Sequence, residues 1–178
     1  MFRITTSGAE TVLYSFGASG IEDSSRPIAG LVQGSDGNLY GTSLTGGASN
    51  AGTVFKVTTS GVETVLHSFT GNCEFTGNVD GAEVYASLVE GSDGNFYGTT
   101  YAGGSFGEGT VFKVTPGGVE TLLYSFGGDG GIVGSADGAQ PWAGLIPGPD
   151  GSIYGTTIAG AAYNEGIVFN LANVILAQ

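Results

Sequence analysis

Cysteine, histidine and positive charge are all scarce in this chain, and each scarcity removes a class of explanation. Cys73 is the one cysteine among 178 residues, so no disulfide can form within the chain. With His67 the one histidine, no Cys/His cluster has the spacing of a structural zinc site. Packing and hydrogen bonds must therefore hold the fold. Four basic residues against 16 acidic ones give a formal net charge of −12, whereas nucleic-acid binding depends on clustered Lys and Arg. DNA, RNA and anionic membranes are disfavoured partners. No run of about 18 apolar residues exists to insert into a bilayer as a helix. Met1-Phe2-Arg3-Ile4-Thr5 leads directly into repeat sequence, without the apolar stretch of a signal peptide. Such a start fits a cytoplasmic protein, a mature secreted chain or a fragment.

Charged residues make up 11% of the chain, against about 25% in an average globular protein, while glycine fills 35 positions and apolar types 40%. That apolar content suffices for one domain with a substantial core. The glycines predict many turns and few helices. What fills the chain is repetition: Gly52-Thr-Val-Phe-Lys-Val-Thr58 returns as Gly109-Thr-Val-Phe-Lys-Val-Thr115. Phe2, Phe55, Phe112 and Phe169 mark one position in successive copies, the last three at a constant interval of 57 residues. The units span roughly 2–54, 55–111 and 112–168, with a strand segment at 169–178, in a single repeat domain over 1–178.

Each unit reads as four short strands, A to D, separated by turns. Strand A is Ala29–Gln33, Ala86–Glu90 and Ala143–Ile146; strand B is Asn38–Thr42, Asn95–Thr100 and Ser152–Thr157. Asp-Gly pairs at Asp36, Asp93 and Asp150 join A to B, and glycine there accepts the positive φ that primed hairpin turns require. Strand C is Thr53–Thr58, Thr110–Thr115 and Ile167–Leu171; strand D is Thr11–Phe16, Thr64–Phe69 and Thr121–Phe126. Large residues fall on both faces of the pleat in Val12–Phe16 and Val54–Val57, so both faces should be covered. Four-stranded antiparallel sheets covered on both faces are the blades of a β-propeller. The expected fold is all-β and propeller-type, with about three and a half blades per chain.

The string Asp-Gly-Asn-Leu-Tyr-Gly-Thr at 36–42, Thr-Val-Phe-Lys-Val-Thr at 53–58 and Ala-Gly-Leu at 29–31 resembles the GloVer-type tandem repeats of bacterial proteins. That resemblance covers nearly the whole chain. It implies a propeller-like fold, a secreted or surface location and no established activity.

Strand counting gives C and D first, then two full units, then A, B and C, with Val174–Ala177 as a candidate final D. Propellers generally close with four to eight blades, so the first and last blades should present bare flanks. About five large apolar side chains on each, at roughly 1.5–3 kcal/mol apiece, amount to about 10 kcal/mol. Other copies of the chain are the expected cover, in a ring or a filament.

Candidate ligand-binding residues lie in the loops that a propeller gathers on one rim. The D-to-A loops align on Asp23, Asp80 and Asp137 ahead of Ile28, Tyr85 and Trp142; the B-to-C loops carry Phe106, Glu108, Tyr163 and Glu165. Tyr85, Trp142, Phe106 and Tyr163 suit sugar stacking or protein contacts, beside the acids Glu108 and Glu165. Asp80 and Asp137 are candidate calcium ligands, although each also suits hydrogen bonding within its own turn, and no other cofactor is expected. His67 replaces the strand aromatic found as Tyr14 and Tyr124. No catalytic residue is assigned, because paired carboxylates at a hydrolytic separation, a nucleophile elbow and a base beside Cys73 are all without support in the pattern. The leading expectation is an extracellular, non-enzymatic, self-assembling structural module. Its alternatives are a glycan- or protein-binding rim and, behind that, a hydrolase or lyase on a propeller scaffold.

Overall fold

A computed structural model describes the chain apart from residues 19, 21, 22, 72–79, 129–135, 150 and 172–178. Cys73, Asp150 and the candidate strand at Val174–Ala177 thus lie outside the described residues. The described elements are all strands. β1 (Phe2–Ile4) and β2 (Glu10–Val12) form a two-stranded antiparallel sheet. Next come β3 (Ser24–Ser25), β4 (Val32–Gln33), β5 (Leu39–Ser43), β6 (Thr45–Gly46), β7 (Thr53–Val57) and β8 (Glu63–Ser68). Of these, β4-β5-β7-β8 make the first complete blade, and β3 pairs β6 at its rim.

The second complete blade repeats that order with β9 (Val89–Glu90), β10 (Phe96–Thr100), β11 (Thr110–Val114) and β12 (Glu120–Ser125). In the third, β14 (Ile146–Pro147), β15 (Ile153–Ala159) and β16 (Val168–Leu171) pair in sequence, and β13 (Ala139–Pro141) joins β15 at the rim. Every pairing between the described strands is antiparallel, and the register recurs: Gly41 faces Phe55, Gly98 faces Phe112, and Gly155 faces Phe169.

Strand A is shorter than its sequence suggests, pairing only over Val32–Gln33, Val89–Glu90 and Ile146–Pro147, and the start of the second copy bonds to the preceding blade instead. The Thr42 hydroxyl of the first blade donates to the Ala86 carbonyl of the second at 2.9 Å. The A-to-B turn also differs from the primed form. Gly37 N–H donates to Gly34 O, and at Asp36-Gly37 only the glycine is left-handed, at φ 82°. This is a turn closed by a left-handed glycine rather than a two-residue primed loop. Asp36 then holds the hairpin from beneath, accepting from Asn38 N and Nδ2 and from the Tyr40 hydroxyl at 3.0, 2.7 and 2.8 Å. Asp93 does the same for Asn95 and Tyr97.

Blades are joined by rings. The phenylalanine ending each strand D meets the strand-C phenylalanine of the next blade edge-on: Phe16 with Phe55, Phe69 with Phe112, and Phe126 with Phe169, at 5.0, 5.0 and 5.1 Å. Tyr40 stacks on Phe96 across the same seam at 3.8 Å. The inner blades are consequently buried on both faces, as the two-sided apolar pattern predicts.

Candidate functional site: the loop rim

The rim is built by short pairings between each D-to-A loop and the end of the following strand B. Ser25 pairs Thr45, Ala82 bridges Ala102, and Ala139 pairs Ala159. One residue beyond the loop serine or alanine, Arg26, Glu83 and Gln140 each adopt a left-handed backbone, at φ 54°, 59° and 58°. That costly conformation for a residue with a side chain lets one amide face both neighbouring blades. Glu83 N–H donates to Ala51 O of the first blade while its carbonyl accepts from Tyr101 N–H of the second, both at 3.0 Å. Gln140 N–H likewise donates to Glu108 O at 2.8 Å.

The candidate aromatics do not form four open platforms. Tyr85 and Trp142 lie against each other with ring centroids 4.1 Å apart and planes 14° off parallel, and Tyr101 meets both edge-on at 5.5 Å. Tyr101 was not singled out by sequence; it occupies the position of Leu44, and its hydroxyl donates to Gln140 Oε1 at 3.1 Å. Phe106 and Tyr163 are exposed on separate B-to-C loops.

Glu108 and Glu165 have unlike surroundings. Glu108 is 2% exposed and its Oε2 has no hydrogen-bond partner, whereas Glu165 is exposed. Burial pushes the Glu108 carboxyl above the usual glutamate range, against a smaller opposing hydrogen bond from Gln140. Glu63 and Glu120 are raised by burial too, and Ser24 donates to Glu63 at 2.9 Å.

The loop aspartates each serve their own loop and the strand aromatic behind it. Tyr14 donates to Asp23 at 3.0 Å and Tyr124 to Asp137 at 2.7 Å. His67 takes the tyrosine's place, its Nε2 lying 3.4 Å from Asp80 Oδ2, and its ring meets Phe69 as Tyr14 meets Phe16. Asp80 also accepts from the amide and hydroxyl of Thr70, and Asp137 from the amides of Gly127 and Gly128. Burial pushes Asp80 up, but the neighbouring His67 ring and the hydrogen bonds from Thr70 outweigh it and hold the carboxyl below the usual range. Among the described residues no group of three or more His, Cys, Asp or Glu is placed to hold a metal ion.

A model described as the Gloeobacter/Verrucomicrobia repeat matches residues 1–169. The chain belongs to this repeat family. No curated protein matches it. Among solved structures, a virginiamycin B lyase from Staphylococcus aureus aligns at 16% identity and a TM-score of 0.52, over 98% of this chain and 48% of that one. A protein described as a gluconolactonase aligns at 12% identity and a TM-score of 0.50, over 95% of this chain and 55% of that one. Both neighbours are β-propeller-like, and at such identity they speak to fold alone. This Gloeobacter/Verrucomicrobia repeat chain is a propeller-type β-repeat that spans about half the length of the structures it matches.

Proposed function

We propose that this repeat chain is a structural, non-enzymatic module of the cell exterior, completed by other copies of itself through its first and last blades. The observation that carries this reading is a contrast between equivalent positions. Phe55 and Phe112 are fully buried, but Phe2 is 62% exposed; Val54 and Val111 are fully buried, but Val168 is 75% exposed. Ile4 is exposed where Val57 and Val114 are buried. Beside Phe2, a hollow of about 330 Å³ is lined by Phe16, Leu31 and Phe55, and of these Phe16 and Leu31 are partly exposed where their counterparts Phe69 and Leu88 are buried in the inner seam.

The inner seam shows what chemistry covers such a face: another blade of the same repeat, presenting the same phenylalanines and tyrosines. A second copy supplies that surface. Burying a Phe or Val side chain is worth about 1.5–3 kcal/mol, so a handful on each side suffices for association. The exterior setting rests on the family resemblance and on the acidic net charge of −12.

Val168→Asp tests the contact. Size-exclusion elution of this variant is expected to move to the single-chain position while its circular dichroism stays native. Val119→Asp, at another exposed valine in the turn between β11 and β12, is expected to elute with the parent. Equal elution of all three proteins contradicts the reading.

A further inference from the structure

One rim groove keeps an aromatic ring that no neighbouring blade fills. It lies between the first and second complete blades, has a volume of about 430 Å³, and is lined by Arg26, Ile28, Asn50, Ala82, Glu83 and Tyr85 among others. That volume is in the range of small-ligand sites. In the following seam the corresponding space is closed, because Trp142 lies flat on Tyr85 and edge-on to Tyr101. In the preceding seam Ile28 stands where Tyr85 and Trp142 stand, so no ring is available there. Sequence variation at one repeat position has therefore left one groove both open and aromatic.

From these groups we infer that the groove is a binding site for a neutral saccharide of about two hexose units. Trp142 covers one side of the Tyr85 ring and fixes its plane, so Tyr85 enters the groove as a rigid, half-buried wall. The C–H face of a hexose packs on such a wall, while its hydroxyls need donors and acceptors on either side. Arg26 supplies donors: no side-chain hydrogen bond or ion pair holds its guanidinium among the described residues. Glu83, also in the lining, supplies an acceptor, and its carboxylate takes the Tyr85 hydroxyl at 3.3 Å. Both side chains spring from left-handed backbone, at φ 54° and 59°, held to the rim by the Arg26 carbonyl, which accepts from Leu44 N–H at 3.1 Å, and by the Glu83 N–H and carbonyl. The buried floor of Ala51 and Ala82 is small and apolar, leaving room for a ring. Acidic sugars are excluded by Glu83 and by the formal charge of −12.

The chain's one tryptophan makes the test local. Because Trp142 packs against Tyr85, a ligand on Tyr85 is expected to change Trp142 emission. The purified chain is titrated with cellobiose, maltose and lactose, with digalacturonic acid as the acidic comparison, and affinities are confirmed by calorimetry. At least one neutral disaccharide is expected to give a saturable change. Tyr85→Phe is expected to keep calorimetric binding, Tyr85→Ala to abolish it while the circular dichroism stays native, and Arg26→Gln to weaken it about tenfold. Absence of binding by all three neutral sugars, binding that survives Tyr85→Ala, or preference for digalacturonic acid overturns the proposal. None of these outcomes depends on the oligomeric state, which light scattering reads separately.

Discussion

Gly98 explains why the Tyr-Gly-Thr triplet takes no side chain at its centre. A Cβ there would sit 2.6 Å from Phe112 Cζ and 3.0 Å from Leu88 Cδ2, and one at Gly41 would sit 2.6 Å from Phe55 Cζ and 2.7 Å from Leu31 Cδ2. The strand-C phenylalanine and strand-A leucine of each blade close over this bare backbone, so three separate motif residues express one contact. Gly98→Ala is expected to lower the denaturation midpoint by the equivalent of about 1–3 kcal/mol, the usual cost of overpacking a core. Glu108 makes a second residue-scale prediction. Its carboxyl is raised by burial, so the fold favours the protonated form; its stability contribution is complete below the ordinary glutamate range and is lost as pH rises through the folded value. Glu108→Gln has no proton to lose. Melting curves that start at the ordinary glutamate range and run upward in pH are expected to show the variant gaining on the parent as pH rises. A constant difference across that span would refute a buried, titrating Glu108.

At the scale of elements, the phenylalanine contacts between blades carry the packing. Phe112 meets Phe69 of the previous blade and lies fully buried, so Phe112→Ala is expected to cost about 3–5 kcal/mol. Phe2→Ala, at the same repeat position, is expected to leave the denaturation midpoint of a single chain within about 1 kcal/mol of the parent, because its ring is mostly in solvent. Equal losses would mean that the seams do not stabilise as the ring contacts imply. These seams explain what could be read in advance. A 57-residue period, two-faced apolar strands and Asp-Gly turns are local patterns, so the blade and its four strands were legible. The rim was less so. Ser24–Ser25 and Ala139–Pro141 have little strand propensity and pair only because the neighbouring strand end offers free backbone groups. The left-handed Arg26, Glu83 and Gln140 have no residue-type signal, since glycine or asparagine is the usual occupant. Tyr85 and Trp142 were legible as rim aromatics, but their mutual stacking is a contact between residues 57 positions apart and follows only from the seam geometry.

For the whole molecule, two apolar end faces sit on a chain of net charge −12. Like charges oppose the approach of a second copy while the end faces favour it, and salt screens the first without weakening the second. Association is therefore expected to tighten between low and physiological ionic strength, as sedimentation velocity would record; a contact held by ion pairs would loosen instead. The central claim is that equivalents of buried seam residues are left for another copy to cover, and the molar mass in solution tests it most directly. Multi-angle light scattering on the chain at rising micromolar concentration should give a mass at least twice the 17.8 kDa of one copy, falling to one copy in Val168→Asp. A folded chain that stays at 17.8 kDa at every concentration would contradict the account.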